Sequence, residues 1–238
     1  MTLLKSTIRK KGLNNMALLS IGTNAKTIKS DKQGEFLTAI LYLAPHKLSG
    51  FNVCPKAKNC ISPCLNLAGM GAWSITQQAR IKKTQFLFEH KKEFLAQLRK
   101  ELGAFQKKCD KLGKKAAVRL NGTSDLAWHL HKLELEFPRI QFYDYTKVMG
   151  YLKARSLNRH FTFSYDGPHN WNDCLKALGQ GVNVSVVFKG KLPKTFNGFP
   201  VISGDDTDLR FLDKTHCIVG LTAKGPAKKC TNGFVVIQ

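Results

Sequence analysis

Residues 115–167 read KAAVRLNGTSDLAWHLHKLELEFPRIQFYDYTKVMGYLKARSLNRHFTFSYDG, and the fold follows from how this stretch alternates. Short β-prone runs, 116–120, 140–143 and 161–164, are separated by longer stretches with helical character, 124–136 and 147–157. The rhythm continues with a helix over 170–178, a strand over 182–188, and further strands near 201 and over 217–221. Strands that alternate with helices build βαβ units, in which helices cover a parallel sheet. The class is therefore α/β, and a partial or closed β/α (TIM-like) barrel is the expected form.

Upstream, apolar residues recur at helical spacing from Ser74 to Leu112: Ile75, Ala79, Ile81, Leu87, Phe94, Leu95, Leu98, Leu102 and Phe105. A break over 84–90 predicts two helices, and Gly113 stands where a C-cap belongs. Residues 1–50 read as an N-terminal adaptor, with strands over 17–21 and 36–43 pairing as a hairpin, and residues 51–72 form a cysteine loop. Without repeats or a proline-rich linker, residues 1–238 are expected to form a single domain.

Polar residues follow three of the predicted strands. In β/α barrels the strand C-termini open on the functional face, so these residues are candidates for a site. Asn121, Asp125 and Asp166 are assigned to a substrate pocket; Asp144, Tyr145 and Lys147 are candidate catalytic residues. Ser124 and Asp125 serve equally well as N-caps of the following helix.

The chemistry centres on Cys54, Cys60 and Cys64, in CPKAKNCISPCLNLAGMGAW. Their C-x5-C-x3-C spacing lets three thiolates from one loop converge on one inorganic centre. A [4Fe-4S] cluster held by three cysteines keeps its fourth iron open to a small molecule; zinc is the alternative and would need a fourth ligand such as His46. Paired C-x2-C knuckles are absent, which favours the cluster. The cysteine total of seven is odd, and residues 1–11 offer no continuous apolar h-region or small-residue cleavage site, so neither export nor a disulfide framework is expected. The longest apolar stretch, 36–44, is far short of a membrane span.

Thirty-eight basic residues against 16 acidic give a formal charge of +22, which points to DNA, RNA or another polyanion as partner. Three weaker patterns complete the survey. His129-Leu130-His131 with Tyr143 has the residue types of a DNA-nicking centre, but histidines two apart on a helix do not face each other. Asp205, Asp206 and Asp208 in GDDTD could hold a hard cation, though an acidic turn is the commoner use. The basic segment 224–229, KGPAKK, lacks the pattern of a nucleotide-binding loop.

The cysteine run, together with RLNGTSD at 119–125, FYDYTK at 142–147 and LTAKG at 221–225, resembles a poorly characterised family of bacteriophage gene products. The resemblance covers nearly the whole chain from about Ile21. It implies a phage origin and a setting in the cytoplasm of the infected host, and brings no activity with it. That family is similar to radical S-adenosylmethionine enzymes in pairing a three-cysteine loop with a β/α barrel. Their usual C-x3-C-x2-C spacing differs from the spacing here.

Overall fold

The computed structural model describes residues 16–22, 31 and 34–237. Ten strands form one sheet in the order β1-β2-β3-β4-β5-β6-β9-β8-β7, with β10 paired to β6. They are β1 (Leu19–Ile21), β2 (Phe36–Leu41), β3 (Lys115–Arg119), β4 (Ile140–Thr146), β5 (Arg159–Ser164), β6 (Val184–Phe188), β7 (Thr195–Phe196), β8 (Phe199–Ser203), β9 (Ile218–Thr222) and β10 (Val235–Val236). All neighbours from β2 to β8 along this order are parallel, while the outer pairs β1/β2 and β7/β8 are antiparallel. Among the described residues no ladder joins the two ends of the sheet, so the expectation of a closed barrel is corrected to an open sheet. Closure requires the first and last strands to pair; here antiparallel β1 and the short β7 occupy those edges.

The helices are α1 (Ser74–Glu89), α2 (Lys91–Lys111), α3 (Leu133–Glu136) and α4 (Trp171–Gly179). The break between the first two falls at His90. Gly113 ends α2 at a φ of 62°, with Lys114 N–H donating to Cys109 O (3.0 Å) and Gly113 N–H to Asp110 O (3.2 Å). This is the Schellman arrangement that a left-handed residue after a helix permits. The strand expected over 17–21 pairs antiparallel with β2, and β2 lies inside the sheet beside β3, so the hairpin is continuous with the main sheet.

Strand residues alternate between the two faces. Phe94, Leu98, Leu102 and Phe105 of α2 share a core with Val118, Leu120, Ile140 and Phe142; Cys174, Ala177 and Leu178 of α4 share another with Phe161, Phe163, Val184 and Val186. Both cores lie on one face, because right-handed crossovers between strands added in sequence carry every helix to the same side. From β8 to β9 the chain steps back towards β6. The same handedness then sends residues 204–217 across the opposite, inner face, where Leu209 and Phe211 pack on Ala117 and Tyr143.

Two expected helices are shorter than the sequence pattern suggests. Over 124–136 the chain forms a 3-10 turn, Trp128–His131, and then α3 after Lys132 at a φ of 50°. The side chain of Asn121 is the cause: its Oδ1 accepts from Leu126 N–H (2.9 Å), Ser124 Oγ (2.8 Å) and Trp128 Nε1 (3.1 Å), holding the backbone out of helix. The 147–157 stretch carries only the 3-10 segment Met149–Ala154.

Candidate site at the cysteine loop

Since β2 runs parallel to β3 through β6, its continuation emerges at the sheet edge where all those strands end. The cysteine loop is the connection from β2 to α1, so it lies over the C-terminal strand ends. The sheet is parted there. β5 pairs with β6 only through Phe163↔Val184 and Ser164↔Ser185, whereas Val187 and Phe188 pair with Val235 and Val236 of β10.

The buried carboxylate of Asp166, just after β5, accepts Lys58 N–H at Oδ2 (3.0 Å) and Cys60 N–H at Oδ1 (2.8 Å). From the other flank Asn59 Nδ2 donates to Asn232 O (2.7 Å), and Asn232 Nδ2 to Asn59 O (2.8 Å). At the start of the loop, Asp125 N–H donates to Val53 O (2.8 Å) and Thr123 Oγ1 to Leu43 O (2.5 Å). Gly122 lies so close to β2 that a Cβ would come within 2.6 Å of Tyr42 Cδ1 and 2.8 Å of Leu41 O, so only glycine fits.

The three sulfurs are half-buried and free. His46 N–H donates to Cys54 Sγ (3.3 Å), and the backbone N–H of Asn66 serves Cys64. Burial raises all three thiols, Cys60 to about 11, so their protons must leave when a metal binds. Lys147 is the positive neighbour of each. Burial works against its own charge, but Cys60, with which it hydrogen-bonds, and the carboxylates of Asp166 and Asp125 outweigh that and hold it protonated. Among the described residues no three His, Cys, Asp or Glu side chains come together closely enough to close on one ion.

The residues expected at strand ends divide by face. Lys147 and Asp166 stand with the cysteine loop. Asp125 accepts Lys147 N–H at Oδ2 (2.8 Å), while its buried Oδ1 has no hydrogen-bond partner. Asp144 points to the helix face, because strand alternation separates it from Tyr145 and Lys147. It accepts Asn121 N–H (2.7 Å), and burial lifts its carboxyl to about 7. Asn121 spends its side chain on its own loop, with Nδ2 donating to Leu126 O (3.0 Å). Tyr145 lies on the inner face, its ring under the Arg119 guanidinium at 4.5 Å.

That inner face holds a polar network which sequence reading missed. Asp208 Oδ2 accepts from Arg119 Nη1 (3.3 Å) and from the Tyr143 hydroxyl (3.1 Å). Buried Arg210 meets Thr207 O through Nη2 (2.6 Å) and Asp213 at 3.3 Å. Tyr143 is thus a buried structural donor. GDDTD is a turn whose carboxylates point to different partners, Asp205 accepting from Thr222 N–H (2.8 Å) and Lys224 Nζ (2.9 Å). His129 packs on Tyr151 and His131 on Trp128, so the two imidazoles have separate surroundings. The signal for the inner network was available in part: Arg119, Tyr143 and Tyr145 are the alternate residues of strands β3 and β4.

An open, largely parallel α/β sheet bearing a clamped three-cysteine loop over its C-terminal edge defines the class of this protein. The chain belongs to the Gene product 88 family, a phage-type gene-product family whose model matches residues 16–236. No curated protein and no solved structure matches it. Among the described residues, no helix is long and apolar enough to cross a membrane.

Proposed function

We propose that this is a phage-encoded [4Fe-4S] cluster-binding protein acting in the infected host, with Cys54, Cys60 and Cys64 as the three thiolate ligands and one iron open to a small-molecule ligand or substrate. The observation that carries the reading is the three half-buried sulfurs on one clamped loop, all with Lys147 as their common cationic neighbour. The donor chemistry suits the group, since thiolates are the ordinary ligands of such clusters and backbone N–H groups directed at sulfur tune them, and binding would draw the three sulfurs together from their present positions. Zinc is the alternative occupant. A bound cluster would supply one-electron transfer, or Lewis acidity at the open iron.

Around it the chain's own residues have separable tasks. Lys147 offsets the negative charge that three thiolates bring together. Asp166 fixes the backbone of the loop, and the buried Asp125 carboxylate fixes the backbone at Lys147 through Oδ2. The sequential order from β2 to β6, with helices on one face only, supports the partial-barrel form of the fold.

Anaerobic purification with iron and sulfide assays and visible spectra tests the reading. About four iron and four sulfide per chain are expected, with loss of most of both in Cys60→Ala. A colourless wild-type protein with stoichiometric zinc rejects it.

The formal charge of +22 favours a second reading, a nucleic-acid-binding protein in which the metal is structural. Its mark is an affinity for DNA or RNA that falls steeply as salt is added, the signature of counterion release. Absence of binding to either polymer at low salt removes it.

A further inference from the structure

From Phe36 to Phe88, and again from Lys214 to Gln238, the sequence contains no aspartate or glutamate. The fold brings these two stretches together. The Leu65–Leu67 turn packs on the Gly225–Lys229 turn, so closely that a Cβ on Gly225 would lie 2.7 Å from Ala68 Cβ. The Gly69–Ala72 turn then runs into α1. The result is one face with cations and no carboxylate from either stretch.

The middle of this face is apolar. Leu65, Leu67, Met70, Trp73 and Ile75 follow one another along the chain, exposed by 60, 42, 52, 63 and 83%. Scattered exposed apolar residues are ordinary; five within eleven residues form a patch that marks a contact surface. Lys228 and Lys229 lie exposed beside the Leu65–Leu67 turn, and exposed Lys82 stands two turns along α1 from Ile75.

We infer that this face is a platform for single-stranded nucleic acid. The inference rests on the nucleic-acid reading above and names where and how the polymer is held. Lysines at the border meet phosphates, and the apolar centre receives the flat faces of unstacked bases, with Trp73 the strongest stacking surface. A duplex hides its base faces and can use only the lysines. Single strands are therefore preferred over duplex. These stretches bring no carboxylate to repel the backbone, and Asp205, which reaches this side of the turn, is paired with Lys224.

Fluorescence anisotropy with a labelled oligothymidylate of about 20 nucleotides at about 50 mM salt tests this. Wild type is expected to bind it about tenfold or more tightly than a duplex of equal length. Met70→Ser/Trp73→Ala and Lys228→Ala/Lys229→Ala should each weaken binding by about tenfold. Lys107→Ala/Lys108→Ala, which removes the same charge from the exposed C-terminal turn of α2 at the opposite sheet edge, should change it less than about twofold. All substituted residues are exposed, and an unchanged far-ultraviolet circular dichroism spectrum and thermal midpoint confirm folding.

Equal weakening by both lysine pairs with no effect of the apolar pair would overturn the platform while leaving the nucleic-acid reading intact. No binding to any DNA or RNA would remove that reading and the platform with it. Apolar-pair-dependent binding to phosphatidylglycerol vesicles without oligonucleotide binding would assign the face to an anionic lipid surface instead, and overturn the inference.

Discussion

Asp208→Ala is expected to lower the unfolding free energy by about 3–5 kcal/mol, the cost of leaving one partner of a buried ion pair uncompensated. The Arg119 and Asp208 side chains are only 14 and 7% exposed. Burial opposes the charge on Arg119, and the Asp208 carboxylate is the first of the groups that outweigh it. Removing the carboxylate also strands the Tyr143 hydroxyl, whose acceptor it is. A domain of ordinary stability has about 5–15 kcal/mol in hand, so the loss is a large share of it. Urea denaturation measures the effect, and Arg119→Met/Asp208→Leu should recover most of it, since apolar replacement of a buried pair is often neutral. A change below about 1 kcal/mol in the single variant would mean that the pair is solvated in the folded protein.

Asp166→Ala should destabilise the protein by about 2–4 kcal/mol and free the cysteine loop. Two backbone N–H groups lose a charged acceptor, each such bond being worth about 1.5–3 kcal/mol, and water reaching the partly exposed loop recovers part of that loss. The loop segment 55–62 should then become a preferred proteolytic site, and metal retention against a chelator should fall. Asp166→Asn keeps one acceptor oxygen and should fall between the two. Unchanged protease resistance of the loop in Asp166→Ala would show that the Asn59–Asn232 pair suffices as its clamp.

Much of the architecture was legible because it is written locally. Short β-prone runs named strands β3 to β6, helical spacing named α1 and α2 with a break between them, and Gly113 marked the end of the second. The segment over 124–136 failed because the Asn121 side chain gathers the Leu126 N–H, the Ser124 hydroxyl and the Trp128 indole N–H, which holds the backbone in a loop. Ile75 fits the helical spacing yet is exposed, because the first turn of α1 lies beyond the core at the sheet edge. The candidate site was read in outline only. Lys147 and Asp166 stand with the cysteines, but Asp144 and Asn121 face the helix side and serve the scaffold.

By itself the sequence determined the βαβ alternation, the sulfur-bearing loop and the cationic balance, all of which depend on residue type and near-neighbour spacing. Only the tertiary structure decided that the sheet stays open, that residues 204–217 cover its inner face, and that Asp166 and Asn232 grip the cysteine loop. Those outcomes rest on contacts between residues more than a hundred positions apart and on the handedness of crossovers, which no local pattern encodes.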